Sequence, residues 1–161
     1  MQGDKKFKLL GFTMGNAIIE VEVHLINPME IPMLWEKVFP HLEKCARSSV
    51  EYDSAADFYH SLVTGFSGLF VAIKGKELLG VIIIQRMEFP HINICHIKAL
   101  GGIRIQEWID EANSAVYNWA ATNDCQLVKA EGRPGWRKFY KDQGWKMNRV
   151  IYTIPVDQNL H

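Results

Sequence analysis

Several protein classes are excluded by what this chain lacks. Its three cysteines, Cys45, Cys95 and Cys125, are odd in number, far apart and form no CxxC pair. That argues against a disulfide framework or a zinc site and for small apolar thiols in a reduced compartment. Neither sign of charge prevails, since Lys+Arg and Asp+Glu number 18 each and the isoelectric point is near 7.0. No global field therefore points to nucleic acid or to an anionic membrane as partner. The longest run of apolar residues and glycine, 78–84, is far shorter than the ~20 residues of a membrane span. The opening residues, MQGDKKFKLLGF, hold no apolar core long enough for a secretory signal, so the expected location is cytoplasmic. Repeats, low-complexity tracts and linkers are missing too. With 161 residues, 48% of them hydrophobic, the chain is expected to form one domain with a core spanning about 17–156.

What is present is periodicity. Residues 17–26 alternate, with Ile19, Val21, Val23 and Leu25 opposite Glu20, Glu22 and His24, and predict a half-buried strand. Trp35, Val38, Phe39, Leu42 and Cys45 recur at helical steps over 31–48, where Pro40 is expected to kink or split the helix. A second helix is predicted at 54–64, with Ser54 as N-cap, Asp57 three residues on and Gly65 as its stop. LFVAI, a turn at 74–76 and ELLGVIIIQRMEF read as a hairpin whose second arm is buried on both faces. Residues 92–100 supply another strand, which Gly101-Gly102 should break. Ile105, Trp108, Ile109, Ala112, Val116, Trp119 and Ala120 then form one helical stripe. A short strand at 125–130 follows, next a helix from Pro134 to a C′ glycine at Gly144, and a last strand at 150–156. This order predicts an α+β (mixed α/β) domain with about six strands and a β-α-β crossover.

Two stretches have the makings of a site. Ala99-Leu100-Gly101-Gly102-Ile103-Arg104 joins a strand to a helix N-terminus, where free N–H groups, the helix dipole and Arg104 suit a phosphate. For an isolated Gly-Gly the simpler reading is a plain tight turn. The other stretch, LVKAEGRPGWRKFYKDQGW at 127–145, sets Tyr140 on a basic helix where its hydroxyl can give a proton to a leaving thiolate. The simpler alternative is that Trp136, Phe139 and Tyr140 pack on the sheet and the basic residues are solvated.

The order of these elements resembles the GNAT (Gcn5-related N-acetyltransferase) superfamily over about 17–156. Members commonly read N-x-x-A-x-x-x-Y-x-x-x-G-F in the last helix, where this chain has Arg133, Trp136, Tyr140, Gly144 and Trp145. Residues 69–84, with Gly80, resemble the family's second and third strands. The family's phosphate loop usually reads Q/R-x-x-G-x-G/A; here it is shortened to Gly101-Gly102-Ile103-Arg104. Combined with the GRPGW motif at 132–136, this shortened turn resembles GNAT-like proteins encoded by bacteriophages and prophages.

The resemblance implies a GNAT-like fold, a mostly antiparallel twisted sheet flanked by helices, whose crossover forms an acyl-CoA site. It implies direct transfer of an acetyl group from acetyl-CoA to a primary amine of a small molecule or protein, without a metal. The strand edge at Ile97, Lys98 and Ala99 would pair with the pantetheine arm, and an amide near Ile97 or Lys98 would serve as oxyanion donor. Gly101, Gly102, Ile103 and Arg104 would hold the pyrophosphate, with Arg133 and Trp136 on the same cofactor. Tyr140 would be the acid, and Glu88, His91 or His96 the base. His91 and His96 are an odd step apart on one strand, which separates them onto opposite faces and disfavours a shared metal. Five tryptophans leave room for a homodimer interface. The shortened glycine turn favours a second reading, a catalytically inactive GNAT-like binding or virion-associated phage protein; a phage-encoded chain would act in the host cytoplasm.

Overall fold

The computed structural model describes residues 19–48, 54–132 and 134–156. The chain divides into two compact units, Met1–Glu131 and Gly132–His161. In the first, five strands form one sheet in the order β1 (Val21–Leu25), β2 (Gly68–Lys74), β3 (Glu77–Glu88), β4 (Asn93–Gly102), β5 (Leu127–Ala130). The first four are antiparallel neighbours, and β5 joins β4 in parallel after a helical crossover. A parallel partner needs such a crossover, whereas Gly75 and Lys76 suffice to turn β2 into β3.

Helix α1 (Ile31–Ser48) and helix α2 (Ala55–Val63) cover one face. Their Ile31, Val38, Leu42, Phe58 and Leu62 pack with Leu69 and Val71 of β2, Val81 and Ile83 of β3 and Ala99 of β4. α2 begins as its sequence predicts. The Asp57 carboxylate accepts from the Ser54 N–H at 2.8 Å and the Ser54 hydroxyl accepts from the Asp57 N–H at 3.2 Å. Those bonds hold the Asp57 carboxyl below the usual carboxylate range. Pro40, expected to break α1, lies inside one continuous helix. Its position is exposed, so the carbonyl left without a donor can turn to water.

Helix α3 (Ile109–Thr122) forms the crossover and buries Ile109, Ala112, Val116 and Ala120, with Trp108 buried just ahead of it. By alternation, Phe70, Ala72, Ile82, Ile84, Cys95 and Ile97, all buried, face away from α1 and α2. β3 is thus buried on both sides along its middle, as its nearly unbroken Leu/Val/Ile run predicts.

Two expectations are corrected. Gly101-Gly102 does not end β4 but belongs to it, paired with Val81 and Gly80 of β3. These glycines serve close packing: a Cβ on Gly102 would stand 2.2 Å from the Leu79 carbonyl oxygen, and one on Gly101 2.6 Å from Cys45 Sγ. The sixth strand is missing as well, because residues 150–156 carry no regular structure and Tyr152, Ile154 and Val156 are exposed. Alternation makes a strand only where a ladder partner is available, and Pro155 removes one donor from that run.

Gly80 offers the sharpest test of the packing, because a Cβ there would lie 2.2 Å from the Trp108 ring. The Trp108 indole is itself fixed by donating to the Ile103 carbonyl at 2.9 Å. Gly80→Ala should therefore lower unfolding stability by about 1–3 kcal/mol in urea titration, with an unchanged m value. A loss under about 0.5 kcal/mol would mean that Trp108 yields freely.

Candidate functional site

The sheet opens where β4 and β5 part. Their parallel pairing runs through Ile94–Leu127, Cys95–Val128, His96–Lys129 and Ile97–Ala130, then stops. β4 continues through Lys98, Ala99, Leu100, Gly101 and Gly102 beyond the last pair of the β4–β5 ladder. At the parting point the β3–β4 register skips, pairing Ile83 with Ala99 but Ile84 with Ile97. Lys98 is therefore the extra residue of a β-bulge, which locally releases peptide groups from the ladder and re-aims side chains. The result is a gap in the sheet where β4 runs on without β5. Ile97, Lys98 and Ala99, expected to line such an edge, all lie at its root.

The bases singled out in the sequence are not brought together. His96 pairs in register with Gln85, two residues before the bulge, and shares the face covered by α1 and α2. Glu88 pairs with Asn93 at the far end of β3 and points to the opposite face. Its carboxylate is bound to the Arg86 guanidinium, which also donates to the Asn123 carbonyl at 2.9 Å. The geometry does not support Glu88 as a base: it is occupied, and it lies about 13 Å along the strand from the bulge. His91 falls in the bend between β3 and β4, beyond Glu88.

One histidine missed in the sequence lies where a helix meets β4. His41 sits on α1 where that helix meets β4; its carbonyl oxygen is 2.8 Å from where a Gly101 Cβ would stand. Burial, with help from Lys44, pulls its imidazole below the ordinary value. One turn on, the Cys45 thiol donates to the Leu100 carbonyl at 3.1 Å. Only the tertiary fold connects these residues to β4, so no local pattern announces them.

The turn after β4 differs from expectation. The Ile103 N–H donates to the Leu79 carbonyl at 2.8 Å and is spent. Arg104, in the left-handed region at φ 48°, sends its guanidinium to Glu77 at 2.6 Å and Glu107 at 3.3 Å. A short 3-10 turn, Ile105–Glu107, separates it from α3. The first turn of α3 carries Asp110 and Glu111, with no side chain capping its N-terminus. The turn foreseen as a phosphate cradle is thus rich in carboxylates, and both Ile103 and Arg104 are already engaged.

In the second unit, a 3-10 turn (Pro134–Trp136) leads into the short helix α4 (Arg137–Tyr140), and a further turn runs to Gly144. The helix therefore ends four residues before the glycine expected to stop it. Trp136 packs by its ring rather than standing open: it meets Phe139 at 5.3 Å and Tyr140 at 6.3 Å between centroids. Trp145 stacks on the Tyr140 ring at 4.6 Å. Burial pushes the Tyr140 phenol up to about 12. Arg133 lies outside the described residues.

A cavity of about 240 Å³ occurs on the β1–β2 side of the sheet, lined by Leu25, Ile26, Phe66, Ser67, Ile84 and Trp119 among others. Its walls are mainly apolar, and its Arg86 is already ion-paired with Glu88. The edge of β4 beyond the β5 ladder has the better chemistry.

No protein-family model and no curated protein sequence matches the chain. Solved structures do. An aminoglycoside acetyltransferase from an uncultured soil metagenomic sample superposes with TM-score 0.66 at 15% identity, over 86% of this chain and 99% of that one. A predicted acetyltransferase from Clostridium acetobutylicum, solved with acetyl-CoA, gives 0.63 at 12% identity, over 84% and 96%. The ribosomal-protein-alanine N-acetyltransferase of Brucella melitensis gives 0.60 at 14%, over 84% and 99%. The fold is GNAT-like. At these identities the likeness is one of fold, a mixed α+β sheet flanked by helices, and among the described residues the GNAT-like sheet has five strands where about six were expected.

The Tyr140 environment can be checked by ultraviolet titration. One phenol should ionise near pH 12, against about 10 for an ordinary tyrosine, and that late step should vanish in Tyr140→Phe. Since the folded value is raised, stability linked to the neutral phenol is present below pH 10 and lost as pH rises through 12. If every tyrosine ionises by about pH 10.5, the Trp136–Tyr140–Trp145 stack is not closed as described.

Proposed function

We propose that the chain is an N-acetyltransferase that takes an acetyl group from a thioester donor of the acetyl-CoA type and delivers it to a primary amine. One observation carries this reading: the β4–β5 ladder ends at Ile97, and β4 runs on past it through a bulge at Lys98. A pantetheine arm bears amides along an extended chain and can add to a strand edge as a peptide does. That would set the thioester at the root of the gap, beside the bulge.

The chemistry follows from there. The amine nitrogen adds to the thioester carbonyl, a C–N bond forms, and charge gathers on oxygen. A peptide N–H at Ile97 or Lys98 supports that oxyanion. Collapse breaks the C–S bond, the nitrogen loses one proton and the sulfur gains one, so the products are an amide and a thiol. His96 is the proposed proton acceptor, directly or through a water, given its place two residues before the bulge. The departing thiolate takes its proton from solvent; Tyr140, the acid that the family resemblance implies, lies in the second unit with its phenol pushed up to about 12.

The acceptor is left as a class, a primary amine on a small molecule or protein. Acetyltransferases of this fold that act on aminoglycosides and on ribosomal-protein alanine support both options. The carboxylate-rich turn after β4 favours a second reading, a binding module that has lost its acyl donor.

Thermal unfolding with added acetyl-CoA separates the two. A donor that binds only the folded chain at about 100 times its dissociation constant adds about 2.7 kcal/mol and raises the melting temperature. With a working acceptor, His96→Gln should lower kcat at neutral pH about 100-fold while donor affinity changes little. Absence of any shift at millimolar acetyl-CoA would overturn the enzyme reading and leave the binding module.

A further inference from the structure

The donor end of the gap shows which part of the donor is recognised. Holding a 3′-phospho-ADP head group takes free N–H groups and cations, because every phosphate must exchange water for charge-assisted donors. The turn after β4 spends the Ile103 N–H on Leu79 and the Arg104 guanidinium on Glu77 and Glu107. Lys74, the other cation of the cluster, stands 3.9 Å from the same Glu107 carboxylate. α3 then opens with Asp110 and Glu111 in its first turn, where the helix dipole already attracts carboxylates in place of an external anion.

These ion pairs are partly exposed, which leaves Arg104 within reach of an incoming phosphate. Displacement gains little, however. The released Glu77 or Glu107 stays tethered a few ångströms from the incoming phosphate and repels it at short range, where salt screens weakly. Nothing comparable affects the neighbouring strand edge. Past Ile97, β4 runs on without β5, and recognition of amides by a strand edge does not depend on charge.

Resting on the acyl-transfer reading above, we propose that this chain recognises its donor through the thioester and pantetheine arm alone. The ADP end adds no affinity, and any acyl thioester of a pantetheine arm is a donor whatever head group it carries. The ion-pair cluster Arg104–Glu77–Glu107 is the specificity element that sets this preference, by consuming the cation that would otherwise grip a phosphate.

Calorimetric titration of the full chain with CoA, pantetheine and adenosine 3′,5′-bisphosphate tests this without an acceptor. CoA and pantetheine should bind within about threefold of each other, with CoA affinity nearly constant from low to high salt, and the bisphosphate should not compete. In the Glu77→Gln/Glu107→Gln variant, Arg104 is released, and CoA should gain about tenfold while pantetheine is unchanged. CoA binding more than about 30-fold tighter than pantetheine, competition by the bisphosphate, or a variant with no gain for CoA would each overturn the inference and leave the acyl-transfer reading standing. Failure of both CoA and pantetheine to bind would overturn both.

Discussion

Everything proposed for this chain depends on where one parallel strand pair stops. β5 follows β4 for four residues and ends at Ala130, opposite Ile97, while β4 runs on. A strand that runs on past its neighbour can take up a further extended partner along that edge. The bulge at Lys98 sits at that point and loosens the ladder on the other side of the same strand.

The rest of the first unit keeps that edge in place. β3 is gripped on both faces, by α1 and α2 on one and α3 on the other, and β4 lies flat against it. Glycine makes the flatness possible. Gly80 lets the Trp108 ring lie on β3, and Gly102 lets the chain cross directly over the Leu79 carbonyl. Gly101 lets α1 approach with the Cys45 thiol resting on β4. Side chains at Gly80 and Gly101 would push against Trp108 and α1, and one at Gly102 would press on the β3 backbone at Leu79. The same closeness gives the turn after β4 its short path, and with it the meeting of Arg104 with Glu77 across the sheet end.

What the sequence made legible was local. Ser54 and Asp57 cap a helix that they announce by spacing alone, and the Ile109 to Ala120 stripe is a helical period that the structure buries as expected. The β2–β3 hairpin is equally plain. The misses share one cause, dependence on a distant partner. Gly101 and Gly102 read as a chain break, yet their role is set by Leu79 and Cys45, far away in sequence. The Lys98 bulge exists only relative to Ile83 and Ile84. Arg104 reads as a phosphate ligand until Glu77, 27 residues away, takes its charge. Residues 150–156 alternate as a strand does but meet no ladder. Glu88 and His96 looked like equal bases, and only the strand register separates them onto two faces.

Amide hydrogen exchange on the free chain and with saturating S-acetyl-pantetheine addresses the central claim most directly. The account predicts that exchange slows at Lys98 to Gly102, as that edge gains a partner, and that peptides from β1 and α2 are unaffected. Slowing confined to another part of the chain, with Lys98 to Gly102 unchanged, would contradict it.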